Sequence, residues 1–184
     1  MLRNPKNIHD WADRALKLEP RIGELAGRYR FMDHAVVVGR GLNYSNAFEF
    51  ALKMMETCYV VAERFSSADL QHGPIAMMEP SFPAFLFAPS GVTWPGLRDL
   101  IAQLDQLKAD TLVFTDLSNK EAIHGRERKV VVPVTLPRRS HPVGDLFTPI
   151  PYIIPAQIFA AKLAAEKGID PDQPRTLHKI TLTL

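Results

Sequence analysis

The feature that most constrains the fold is an unbroken apolar run at residues 35–39, Ala-Val-Val-Val-Gly, which leads into Arg40-Gly41. A continuous run of β-branched residues is typical of a parallel strand that is covered on both faces. Residues 59–63 are short and β-like, and further apolar runs follow at 84–88, 111–115 and 130–136. Segments with helical spacing separate these runs, so the sequence predicts an α/β fold with a mostly parallel sheet.

Helices are predicted between the strands, at residues 8–30, 45–57, 95–108 and 147–167. Several prolines modify this pattern, because proline removes a backbone donor and clashes with the preceding turn. Pro20 predicts a break in the first helix, and Pro151 and Pro155 predict that the last helix becomes regular only near Ile154. Pro133 places the strand at 130–136 at an edge of the sheet or at a bulge. The tail at 170–179 is predicted to be irregular and extended.

Composition excludes several classes of protein. The chain has 184 residues, enough for one domain with a proper core, and 46% of them are hydrophobic. Its basic residues are scattered and its net charge is only +2, so we expect no nucleic-acid partner. No apolar run reaches the length of a membrane span, and Cys58 is the single cysteine. We therefore expect a cytoplasmic protein without a membrane, a cofactor, a metal or a disulfide, in which Cys58 is a buried thiol.

The predicted helix at 45–57 carries a polar stripe on an otherwise apolar surface. Asn46, Glu49, Lys53 and Glu56 recur at steps of three, four and three, which places them on one face. Charged side chains on such a helix have to be paired or used. A loop with His72-Gly73-Pro74 follows, so an acid, a base and a histidine predict a site here. The alternative is that Lys53 and Glu56 form only an i,i+3 surface pair.

Three separated stretches are similar to those of one family: GRGLNYSNAFEFALKMMETCYVVAE, SSADLQHGPIAMME and the closing DPDQPRTLHKITLTL. They resemble the sugar isomerase (SIS) domain, and more narrowly the second SIS half of the glutamine–fructose-6-phosphate aminotransferases. The resemblance implies a three-layer flavodoxin-like fold, with a mostly parallel sheet flanked by helices. It also implies a single SIS domain in which residues 1–33 resemble the linker between two SIS halves. Residues 34–184 then form the SIS core and the C-terminal tail.

The resemblance also implies roles for individual residues. Glu56 matches the carboxylate that moves a proton between C1 and C2 of the sugar. His72 matches a ring-opening histidine that reaches into the site of a neighbouring subunit. Lys179 matches the near-terminal lysine that meets the sugar carbonyl as a Schiff base. Lys53 matches a substrate-binding lysine one turn before the base.

This chain also departs from the family pattern. Residues 90–93, Ser-Gly-Val-Thr, keep only part of the phosphate-binding turn found in first SIS halves, so the phosphate is expected to be held elsewhere. The glutaminase domain is absent, so this chain is not expected to release ammonia from glutamine. Phe50 and His178 stand where the family tends to have Gly and Ala, which are positions where the pocket would be reshaped.

Two classes of function follow from the resemblance. The first is an enzyme part that acts on a sugar phosphate: the isomerase half of glucosamine-6-phosphate synthesis, which starts from fructose 6-phosphate, or an amino-sugar-phosphate deaminase or deglycase half. The second is a non-catalytic module that binds a phosphosugar. The presence of Glu56, His72 and Lys179 together favours the enzyme. The expected partner is a second copy of the chain, or another SIS domain.

Overall fold

The computed structural model describes residues 6–135, 145–173 and 175, and its centre is a five-stranded parallel sheet. The strands are β1 (His34–Gly39), β2 (Val61–Ser66), β3 (Pro83–Phe87), β4 (Asp110–Asp116) and β5 (Lys129–Val132). Their order in the sheet is β2-β1-β3-β4-β5, and each neighbouring pair is parallel. This is the flavodoxin-like order, with its topological switch point between β1 and β3. The fold expected from the sequence is confirmed.

Seven α-helices accompany the strands within the described residues. They are α1 (Lys6–Leu16), α2 (Glu19–Arg28), α3 (Tyr44–Cys58), α4 (Ser67–Gln71), α5 (Trp94–Gln106), α6 (Lys120–His124) and α7 (Pro149–Glu166). Helices α1, α2, α3 and α7 pack on one face of the sheet, in a core that includes Val37 of β1. Helices α4 and α5 pack on the other face, together with Val36 and Val38. The three layers follow from the strand alternation, since successive side chains of β1 point to opposite faces.

The larger core is built around Phe50 of α3, which is fully buried. Its ring lies 5.4–6.2 Å, between centroids, from four other phenylalanine rings in edge-to-face arrangements: Phe85, Phe87, Phe114 and Phe159. The expectation that Phe50 reshapes a ligand pocket is therefore wrong. The side chain faces the sheet and fills the core.

The prolines act differently in the two helices where they were expected to matter. The predicted helix at 8–30 is broken as expected, since α1 ends at Leu16 and α2 begins at Glu19, with Pro20 in its first turn. In contrast, α7 already begins at Pro149 and continues through Pro155, so the expected start near Ile154 is wrong. Proline is tolerated in the first turn because the first backbone N–H groups of a helix have no partner inside the helix.

Two further expectations can be compared with the described residues. Strand β5 lies at an edge of the sheet, as Pro133 indicated. Cys58 is buried and donates to the backbone oxygen of Ala160 at 3.1 Å, and burial raises the pKa of its thiol. Within the described part of the chain, no helix combines the length and the apolar character that a bilayer crossing needs.

Candidate active site at the C-terminal end of helix α3

Helix α3 carries the polar stripe from one edge of the sheet to the other. It follows β1 and precedes the parallel strand β2. It therefore starts at the carboxyl edge of the sheet, where the parallel strands end, and returns to the amino edge, where they begin. Twelve residues separate Tyr44 from Glu56, a distance of about 18 Å along the helix axis. Glu56 therefore lies at the amino edge, far from the strand ends where ligands usually bind in such sheets.

The first half of the stripe is structural. Asn46 is buried and donates to Asn43 Oδ1 and to the backbone oxygen of Pro149, at 3.1 Å in both cases. Glu49 accepts a hydrogen bond of 3.2 Å from Gln157 Nε2 of α7. These contacts fix α3 against α7.

The second half of the stripe is an ion pair that is open to solvent on one side. Lys53 Nζ lies 2.7 Å from Glu56 Oε2, and the two side chains are 34% and 33% exposed. Thr57 Oγ1 donates to the backbone oxygen of Lys53 at 2.7 Å, within the same turn. The i,i+3 surface pair considered from the sequence is thus present. A pair this exposed adds little stability by itself, but it leaves a fixed carboxylate accessible to a ligand.

The ion pair predicts a measurable shift at Lys53. The hydrogen bond to Glu56 raises the pKa of Lys53 above its ordinary value of 10.5. Because the folded-state pKa is raised, the pair stabilises the fold below about pH 10.5, and this contribution is lost as the pH rises through the folded-state pKa. We expect Glu56→Gln to lower the pKa of Lys53, as measured by NMR titration of its side chain. An unchanged titration in the variant would contradict the pairing.

His72 lies in a different layer of the molecule. It follows α4 directly and is exposed, and Leu70 of the same helix packs into the core on the face opposite α3. The Ser66 side chain caps α4 by accepting from the Asp69 backbone N–H at 3.1 Å. The sheet therefore separates His72 from Glu56 of the same chain, and the structure does not bring these two candidates together.

The C-terminal segment returns to the end of α3. The backbone N–H of Arg175 donates to the Tyr59 hydroxyl at 2.7 Å, and the Arg175 guanidinium carbon lies 4.6 Å from the centroid of the Tyr59 ring. Residues 170–173 form a turn, so the expectation of an extended tail is wrong for these residues. Lys179 and His178 lie outside the described residues.

At the carboxyl edge, the carboxylate of Asp116 holds the loop with residues 90–93. Asp116 is fully buried at the end of β4 and accepts from the backbone N–H of Ser90 at 2.7 Å and from Ser90 Oγ at 2.9 Å. It also accepts from the Tyr152 hydroxyl at 2.7 Å and from the Ser118 backbone N–H at 2.8 Å. Two donors that a phosphate would need are thus engaged with Asp116, which weakens this loop as a phosphate site.

An apolar groove of about 570 Å³ runs along the outer side of α3, next to the ion pair. Phe48 and Leu52 are 45% and 42% exposed there, and the Arg64 guanidinium carbon lies 4.9 Å from the Phe48 ring centroid. The groove is lined by Tyr44, Ser45, Phe48, Glu49, Leu52, Met55 and Arg64. Large apolar side chains that lie together on a surface mark interaction sites more often than singly scattered ones.

Comparison with known proteins identifies relatives of the whole chain. The SIS domain model matches residues 30–142. The glutamine–fructose-6-phosphate aminotransferase (isomerizing) of Pyrococcus horikoshii is 34% identical over 172 residues, which are 94% of this chain and 27% of that protein. The enzyme of the same name from Acidithiobacillus ferridurans is 36% identical over 168 residues, with 90% and 26% covered. The chain thus spans about a quarter of the length of these curated relatives.

Solved structures agree with these relatives. The C-terminal domain of glucosamine-fructose-6-phosphate aminotransferase from Francisella tularensis superposes with a TM-score of 0.80 at 28% identity, over 92% of this chain and 45% of that one. Tagatose-6-phosphate ketose/aldose isomerase from Escherichia coli gives a TM-score of 0.71 at 22% identity, over 96% and 48%. The latter likeness shows the fold alone. Since the SIS model covers more than half of the sequence, and the fold superposes on the solved aminotransferase domain, the chain belongs to the SIS domain family.

Proposed function

We propose that this chain supplies the isomerase part of a sugar-phosphate aminotransferase, with fructose 6-phosphate as the substrate and glucosamine 6-phosphate as the product. The observation that carries this proposal is the Lys53–Glu56 pair, a fixed and accessible carboxylate at the end of α3. The homology to isomerizing aminotransferases supports the substrate class. In this proposal α1 and α2 serve as the linker to another part of the protein, and the nitrogen donor is generated elsewhere.

The chemistry needs one base that acts on two neighbouring carbons. In the open-chain ketose or its imine, Glu56 takes a proton from C1, and the electron pair of that bond forms the C1–C2 double bond of an enediol or enolamine. The π pair of the former C2=O or C2=N bond moves to its oxygen or nitrogen, which takes a proton from solvent. Glu56 then delivers a proton to C2 while the O1 hydroxyl loses its proton to solvent, which leaves an aldehyde at C1. A positioned carboxylate suits this transfer because it stays within reach of both carbons. Lys53 holds the carboxylate in one orientation and compensates its charge.

The first test is deuterium incorporation by the full-length protein. Fructose 6-phosphate is incubated with the protein in D2O, and C1 and C2 are followed by NMR. We expect deuterium at these carbons only when the protein is present. Binding of the sugar phosphate without any incorporation would overturn the enzyme assignment and leave a binding module.

We further propose that the site is completed by pairing, with a second copy of this chain seated on the apolar groove of α3. The solved SIS chains that match here are about twice as long as this one. Each of them therefore has room for a second part of this size, which could serve as the partner within the same chain. In the pair, His72 of the second copy supplies the proton transfer of ring opening. His72 of the same chain does not reach the site, because the sheet separates it from Glu56. A histidine titrates in the range that this step needs.

Pairing predicts a change of oligomeric state when a charge is placed in the groove. We expect Leu52→Glu to convert a dimer into a monomer at micromolar concentration, measured by light scattering. The new carboxylate would be buried in the pair without a partner, and it would lie beside Glu49 and Glu56 on α3. Val92→Glu is the control, because Val92 is exposed at the carboxyl edge and should leave the dimer intact. A wild-type monomer would contradict pairing.

A further inference from the structure

Tyr59 stands at a special position at the end of α3. It is the residue that terminates the helix, and its backbone is in the left-handed region, with φ of 54°. Residues other than glycine are uncommon in this conformation. Tyr59 is three residues beyond Glu56, which is about 5 Å along the helix axis. Tyr59 therefore lies at the same end of α3 as the ion pair, and its side chain is half-buried.

Two independent contacts join Tyr59 to Arg175, which lies 116 residues later in the chain. The Arg175 backbone N–H donates to the hydroxyl oxygen at 2.7 Å, and the guanidinium carbon is 4.6 Å from the ring centroid. The Tyr59 hydroxyl therefore holds the backbone of Arg175, and the Tyr59 ring holds the Arg175 side chain. A cation over an aromatic face is attracted by the ring quadrupole.

The path from α7 to Arg175 is also defined by local contacts. Gly168 turns the chain after α7, with φ of 72°, and Ile169 packs against the core. Asp170 then folds the following residues, because its Oδ1 accepts from the Asp172 backbone N–H at 2.9 Å and its backbone oxygen accepts from the N–H of Gln173 at 3.2 Å. These contacts lead the chain from the end of α7 to the end of α3.

We infer that Tyr59 is a positioning residue, which anchors the C-terminal segment through Arg175 beside the end of α3 that carries Glu56. The part that this anchor plays in the reaction rests on the proposed function, whereas the anchor itself is a contact between described residues.

The first measurement tests the anchor without any activity. In the full-length protein, amide hydrogen exchange of Arg175 is compared between wild type and Tyr59→Phe, which keeps the ring but removes the acceptor oxygen. We expect about tenfold faster exchange of this amide in Tyr59→Phe, and a larger increase in Tyr59→Leu, which also removes the ring. Equal exchange in all three proteins would overturn the inference.

The second measurement tests what the anchor does for the reaction. We expect Tyr59→Leu and Arg175→Gln each to lower kcat/KM for proton exchange about tenfold, and the double variant to lose no more than either single one. Tyr59→Phe should retain part of the rate, because the ring still faces Arg175. Additive losses would overturn the positioning role. If the wild-type protein exchanges no protons, the proposed function fails, and the amide measurement still decides whether Tyr59 is an anchor.

Discussion

Replacing Glu56 by Gln is expected to lower the rate of solvent-proton exchange at C1 and C2 of fructose 6-phosphate by about 10²- to 10⁴-fold, which is the usual contribution of a positioned general base. The substitution preserves the shape of the side chain and an oxygen that accepts from Lys53. Binding of the sugar phosphate should therefore stay within about threefold of wild type. The rates are measured by NMR in D2O, and the affinity by calorimetry.

The matched control for this substitution is Glu63→Gln. Glu63 is an exposed carboxylate on β2, and its Oε1 lies 3.6 Å from a guanidinium nitrogen of Arg64. The control substitution therefore removes the same charge at a position outside the proposed site. Its exchange rate should equal that of wild type. If Glu56→Gln also exchanges protons at the wild-type rate, then Glu56 is not the base, and its ion pair with Lys53 is only a surface contact.

Phe50→Ala is expected to give the largest loss of stability, about 3–5 kcal/mol. The ring is fully buried and is surrounded by four other phenylalanine rings, so its removal leaves a cavity in the core between α3, the sheet and α7. The free energy of unfolding is measured by urea denaturation followed by circular dichroism. A loss of this size is a large part of the stability of a typical domain.

Phe31→Ala serves as the control, because the same side chain is removed at a position that is 62% exposed. A change of less than about 0.5 kcal/mol is expected there. If Phe50→Ala destabilised the protein no more than Phe31→Ala, the core arrangement around α3 would be wrong. The position of Glu56 depends on that arrangement, since both residues belong to the same helix.

The sequence predicted the parts of the molecule that are encoded locally. The run at 35–39 is a strand buried on both faces, and the steps between Asn46, Glu49, Lys53 and Glu56 place these residues on one side of a helix. Periodicity is read within one element, so these expectations needed no tertiary information.

What the sequence did not predict depends on contacts between distant elements. Asp116 meets the Tyr152 hydroxyl 36 residues later, and Tyr59 meets Arg175 116 residues later. The role of Phe50 also depends on rings from β3, β4 and α7. Neither the spacing of residues nor the composition indicates such contacts, because the contacts arise from the packing of the layers. The separation of His72 from Glu56 likewise appears only once the two faces of the sheet are known.

A mixing experiment determines whether one site combines Glu56 of one chain with His72 of another. Glu56→Gln and His72→Asn are each expected to retain at most about 1% of the wild-type rate of proton exchange when expressed alone. When the two variants are co-expressed in equal amounts, half of the dimers contain one chain of each kind, and each of these has one intact site. The mixture should then regain about a quarter of the wild-type exchange rate. A mixture that remains as inactive as the single variants would contradict the claim.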